Sequence, residues 1–159
     1  SGSLARKKIG AIIAVERETK LRDHTQAGVM IGGQVSWELL ESIFQPSSPL
    51  HDGAVLVGGG TVLWAGSFLP LSTRHDLERG FGTRHRAAIG ITEETDAVVL
   101  VVSEETGTVS LAVNGRITRD LDEAALRKVL SRLLEIPGGT RGRKKRSRRA
   151  KAPGREGQA

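Results

Sequence analysis

The stretch Asp96-Ala97-Val98-Val99-Leu100-Val101-Val102-Ser103-Glu104-Glu105-Thr106 decides how this chain folds. Residues 98–102 are aliphatic without a single polar interruption. A strand with one solvated face alternates in polarity, so an unbroken run of this kind reads as a central strand covered on both faces. Helices must then pack on both sides of a sheet, which sets the class as α/β. Working outward, residues 108–113 alternate enough to be its neighbour, and Asn114-Gly115 is a strong two-residue hairpin signal. Upstream, residues 9–15 read as a second buried strand ending in Glu16-Arg17-Glu18, and residues 54–57 and 61–69 read as a hairpin around Gly58-Gly59-Gly60. Three helices are expected. Ser36 caps one that runs to Phe44 with Trp37, Leu40 and Phe44 on one face; a second runs from about residue 84 to 90; Asp122 caps a third that runs to Glu135. Residues 29–35, with Gly32-Gly33, read as irregular. The predicted fold is an α/β single domain, a mixed central β-sheet flanked by helices and followed by a disordered basic tail. Its expected limits are a cloning scar and linker over 1–7, a globular domain over 8–140 and the tail over 141–159.

Composition narrows the function. With no cysteine, disulfides and Cys-ligated metal centres are excluded, so any metal must be held by His, Asp, Glu or substrate oxygens. No apolar run approaches the roughly 20 residues needed to span a bilayer. The net charge of +6 suggests a nucleic-acid partner, but residues 1–140 carry 15 Lys and Arg against 17 Asp and Glu, and residues 141–159 carry nine against one. The excess lies wholly in the tail, which can contact polyanions, while the domain itself requires no nucleic acid. Few apolar residues are present there to offset the entropy of ordering.

Three polar segments punctuate the predicted elements. Pro49-Leu50-His51-Asp52-Gly53-Ala54 places an imidazole and a carboxylate at the lip of a strand, beside a glycine that permits close backbone approach. Asp52-Gly53 reads equally well as a plain turn. Phe81-Gly82-Thr83-Arg84-His85-Arg86 sets a hydroxyl and two guanidiniums at a helix start, where free N–H groups and the dipole favour phosphate. The same triplet suits a solvated surface. Ser103-Glu104-Glu105-Thr106 follows the central strand at its C-terminal end, a usual ligand position in α/β sheets. Adjacent strand residues point to opposite faces, so at most one of the two glutamates is expected to face a pocket.

Taken together, in this order and spacing, these segments resemble the diadenylate cyclase domain family, whose marks are an Asp-Gly-Ala motif and an Arg-His-Arg motif. The likeness extends over residues 8–122, including Lys8-Ile9-Gly10-Ala11, Phe68-Leu69-Pro70-Leu71-Ser72 and Ala112-Val113-Asn114-Gly115. It implies an enzyme that condenses two ATP into cyclic di-AMP. Asp52 would position or activate the ribose 3′-hydroxyl, with Gly53 and Ala54 against the nucleotide. Gly82, Thr83, Arg84, His85, Arg86 and Ser103 would serve the phosphates, with Glu104 adjacent, and Phe68 and Leu69 would hold adenine. His51 and Glu105, with Asp52 close by, would bind Mg²⁺ or Mn²⁺. Two equivalent linkages in the product imply a face-to-face homodimer, whose contact need only be transient. The texture is similar to the membrane-anchored subclass, which implies a cytoplasmic domain attached through an N-terminal region absent here. Two other functions are open to such residues: a nucleotide sensor without catalysis, and polyanion binding through residues 141–151.

Overall fold

The structure is a computed structural model that describes residues 1–134 other than 27 and 78. Seven strands form one sheet in the order β2-β4-β3-β1-β5-β6-β7. They are β1 (Ala11–Val15), β2 (Val29–Gln34), β3 (Ala54–Gly58), β4 (Thr61–Ser67), β5 (Val98–Val102), β6 (Val109–Val113) and β7 (Arg116–Thr118). Among the described residues only the β1–β3 pair is parallel, so the sheet is mixed as expected. Every residue of β5 is buried. Its side chains divide by the period of two: Val98, Leu100 and Val102 enter one apolar cluster with Phe44 and Leu126, and Val99 and Val101 enter the other with Ala88 and Ile91. The first cluster is covered by α1 (Gly2–Arg6), α2 (Trp37–Phe44) and α4 (Glu123–Leu133), and the second by α3 (Thr83–Glu94).

Local signals held at the turns and caps. Ser36 Oγ accepts from the Leu39 N–H at 3.1 Å, and Asp122 Oδ1 accepts from the Ala125 N–H at 2.7 Å. Asn114 and Gly115 both take positive φ and join β6 to β7 in a tight hairpin.

Four expectations are corrected. Residues 29–34 are an edge strand paired to β4, where the register shifts between Met30 and Gly33; the glycines that hid it mark that irregularity. In α2 the buried residues are Leu40, Ile43 and Phe44, while Trp37 is 62% exposed in the first turn. Helix α3 continues past Gly90 to Glu94. Its residues from Ala87 to Thr92 are all buried, so it lacks the polar face that makes a helix legible in sequence. Residues 2–6, read as linker, form α1, because Leu4 is apolar and is 2% exposed within the main core. The tail over 141–159 and the predicted helix end at Glu135 lie outside the described residues.

Candidate active site

The sheet order brings strand starts and strand ends to one edge. Ala11 at the start of β1 pairs with Val102 at the end of β5, and Ala54 at the start of β3 pairs with Ser67 at the end of β4. Antiparallel neighbours therefore give this rim both kinds of strand terminus. Above it lies the N-terminus of α3.

Asp52 and Gly53 occupy the turn that enters β3. Gly53 has φ +109°, and a Cβ there would sit 2.8 Å from the Gly66 carbonyl carbon. Only glycine lets the β4 backbone pass this close. Asp52 is exposed and lines a cleft of about 300 Å³ together with Gly53, Ala54, Phe68, Leu69, Thr83 and Arg84. Gly82 is the N-cap of α3 and offers no side chain to the first turn, so the leading N–H groups of the helix stay available. Thr83 and Arg84, the first two helical residues, line this cleft and also an adjoining one of about 270 Å³ formed with Gly82, His85, Ser103, Glu104 and Glu105. The second cleft is where the C-terminal end of β5 opens. A larger hollow of about 400 Å³ between α1 and the start of α4 contains none of these residues.

A family model described as "DisA bacterial checkpoint controller nucleotide-binding" matches residues 1–117. The chain belongs to the diadenylate cyclase domain family. It is 46% identical over 127 residues to a diadenylate cyclase of Listeria monocytogenes and to the cyclic di-AMP synthase CdaA of Bacillus subtilis, in each case covering 80% of this chain and 46% of the relative. It is similar in structure to a double cysteine mutant of DacA from Staphylococcus aureus, with a TM-score of 0.79 and 40% identity over 82% of this chain and 87% of the other. A hypothetical membrane spanning protein from Bacillus cereus matches with a TM-score of 0.73 and 46% identity, covering 76% of this chain and 59% of that one. The chain spans about half the length of the curated relatives it matches.

Within this cyclase domain the motif residues occupy distinct environments. Arg84 Nη1 donates to Glu104 Oε2 at 3.1 Å, so Glu104 stands as the counter-ion of Arg84. Both glutamates reach the second cleft. They sit in a turn after β5 has ended at Val102, where strand alternation no longer applies. Ser103 Oγ accepts from the N–H groups of Glu105 and Thr106 at 3.3 Å, which leaves its own O–H free to donate. His85 is 7% exposed and its ring stacks on Phe81 at 5.4 Å. Burial, aided by Arg119 and Arg84, pushes its pKa below the ordinary imidazole value. Arg86 lines neither cleft, and its Nη1 points to the Ser72 carbonyl at 3.4 Å.

Ile12 and Ser67 also line the Asp52 cleft and carried no motif signal, and Leu71 and Ala87, which fall in the matching segments, line it without having been assigned a role. Ala87 could have been found from spacing, since it lies four and three residues beyond Thr83 and Arg84 on the same helix face.

Proposed function

We propose that this domain condenses two ATP into cyclic di-AMP and releases two pyrophosphates. The observation that carries this is the convergence, in one cleft, of the exposed Asp52 carboxylate with Arg84 and the uncapped N-terminus of α3, in a chain of this family. Adenine lies against Phe68, Leu69 and Ala87. The triphosphate extends over Thr83 and Arg84 toward Ser103. Asp52 accepts a hydrogen bond from a ribose 3′-hydroxyl, aligns its oxygen on the α-phosphate of the facing ATP and draws off its proton as the new P–O bond forms and the bond to pyrophosphate breaks. The first N–H groups of α3 and the Arg84 guanidinium take up the negative charge that develops on the phosphoryl oxygens. Such nucleotidyl transfer asks the protein mainly for positioning and charge.

The residues present fit a divalent cation. His51 Nδ1 lies 2.7 Å from the Ser48 carbonyl oxygen, which can only accept, so Nδ1 carries the hydrogen and Nε2 presents a lone pair. Among the described residues no three His, Asp or Glu side chains gather into a cluster. In one copy at most two of His51, Asp52 and Glu105 would therefore touch a single ion, and triphosphate oxygens and water would complete its shell, the usual arrangement for Mg²⁺. When bound, Mg²⁺ or Mn²⁺ supplies charge that supports departure of pyrophosphate.

Two linkages of the same kind call for two sites that face each other across a two-fold axis. Phe68, 55% exposed, and Leu71, 51% exposed, leave apolar surface at the cleft for such a contact. Membrane attachment of the whole protein is supported by the relative described as membrane spanning; no helix among the described residues is long and apolar enough to cross a bilayer.

The test is incubation with ATP and Mn²⁺ or Mg²⁺, with products identified by mass spectrometry. Cyclic di-AMP with pyrophosphate is the expected result. ADP or AMP as the sole product would overturn the reading.

A further inference from the structure

Residues 68–72 supply Phe68, Leu69 and Leu71 to the cleft, yet among the described residues only Phe68 of these is held by a β-bridge, to Gln26. What keeps the rest of this wall in place is α3. An ideal Cβ on Gly90 would lie 2.1 Å from the Pro70 carbonyl oxygen, 2.7 Å from the Ser72 nitrogen and 2.9 Å from the Leu71 carbonyl carbon. The loop backbone thus rests directly on the helix backbone, with no room for a methyl group. Around that contact the Ser72 N–H donates to the Arg86 carbonyl at 3.0 Å, and Ser72 Oγ, in a residue 4% exposed, donates to Glu93 Oε1 at 3.0 Å. Positions 86, 90 and 93 are spaced by four and three and share one side of the helix, while Thr83, Arg84 and Ala87 line the cleft.

We infer that Gly90, Ser72 and Glu93 are positioning residues that fix residues 68–72 as the base-side wall of the nucleotide cleft. One rigid helix therefore holds both ends of the ligand, its N-terminus at the phosphates and its Gly90 side at the base. This explains a glycine in the interior of a buried helix, where it has lower helix propensity than alanine. A side chain at position 90 must push residues 70–72 outward. Displacements on the order of 1 Å at a positioning element can cost about 100-fold. The inference rests on the nucleotide reading above and predicts a selective loss, of the base but not of the phosphates.

The experiment is calorimetric titration with Mg²⁺ complexes of α,β-methylene ATP, which cannot release pyrophosphate, and of inorganic tripolyphosphate. Gly90→Ala is expected to weaken the nucleotide at least about tenfold and to leave tripolyphosphate within about twofold. Glu93→Ala is expected to shift nucleotide affinity in the same direction, and Glu93→Gln, whose amide oxygen still accepts from Ser72, to restore it. Should Gly90→Ala not fold, as judged by circular dichroism, the Glu93 pair and Ser72→Ala carry the test. Equal losses for both ligands, or unchanged nucleotide affinity in folded Gly90→Ala or Glu93→Ala, would overturn the inference while leaving the cyclase reading intact. Wild-type protein that binds neither ligand would overturn both.

Discussion

Asp52 and Arg84 line the same cleft but are asked for different things. Asp52→Asn keeps shape and loses charge, so nucleotide affinity should persist while turnover falls by about 10²- to 10⁴-fold, the usual contribution of a positioned base. Product formation by mass spectrometry beside a nucleotide titration separates the two effects; wild-type turnover would exclude the assigned role. Arg84→Ala removes charge-assisted hydrogen bonds worth about 1.5 to 3 kcal/mol each, so tripolyphosphate affinity should fall by roughly 10- to 100-fold. Unchanged affinity would count against a phosphate contact. His85 makes a different forecast because its folded pKa is lowered, first by burial and then by Arg119 and Arg84. Below the ordinary value of 6.5 the unfolded chain takes up the proton more readily than the folded one. Stability present above that value is therefore lost as pH falls through the folded pKa. Urea melts across that acid range should show the loss in wild type and a flatter slope in His85→Gln. A slope that does not change would show that the buried ring is not its source.

At the scale of elements, β5 and α3 do most to build the site. Strand β5 is buried along its whole length and so fixes where Ser103 emerges. Helix α3 gives its N-terminus to the clefts and much of its length to the second core cluster. On the opposite face, α2 is capped by Ser36 and buries Leu40, Ile43 and Phe44 in the first core cluster, and none of its residues lines either cleft. Ser36→Ala is expected to cost about 1 kcal/mol in a denaturant titration and to leave specific activity unchanged. A large loss of activity at unchanged stability would mean that α2 contributes to the site in a way its packing does not suggest.

For the whole molecule, one cleft can present only one ATP to Asp52, so the proposed product depends on a second copy. Specific activity should climb with enzyme concentration wherever sedimentation shows mostly monomer. Mixing Asp52→Asn with Arg84→Ala protein sharpens the question. If every linkage draws on both subunits, a mixed dimer forms at best one linkage and releases a linear intermediate, so cyclic product should not recover fully. Full recovery, or flat specific activity across dilution of a monomer, would refute facing sites.

Local chemistry by itself determined the class, the buried strand 98–102, both side-chain caps and the 114–115 turn, because each depends on a few residues adjacent in the chain. The family motifs likewise showed their order and spacing in the sequence. What only the tertiary structure decided depends on residues far apart in it. The β2 edge strand is defined by its pairing to β4, and the continuation of α3 past Gly90 was hidden by the burial of residues 87–92 on several sides, which erases amphipathic periodicity. Glu104 becomes the counter-ion of an arginine 20 residues away, and Arg86 turns from the clefts toward Ser72. Burial also lowers the pKa of His85, which its motif does not foretell. Side-chain identity states what a residue can do; its neighbours in space set which of those capacities survives, through desolvation, pairing and the direction in which the backbone points it.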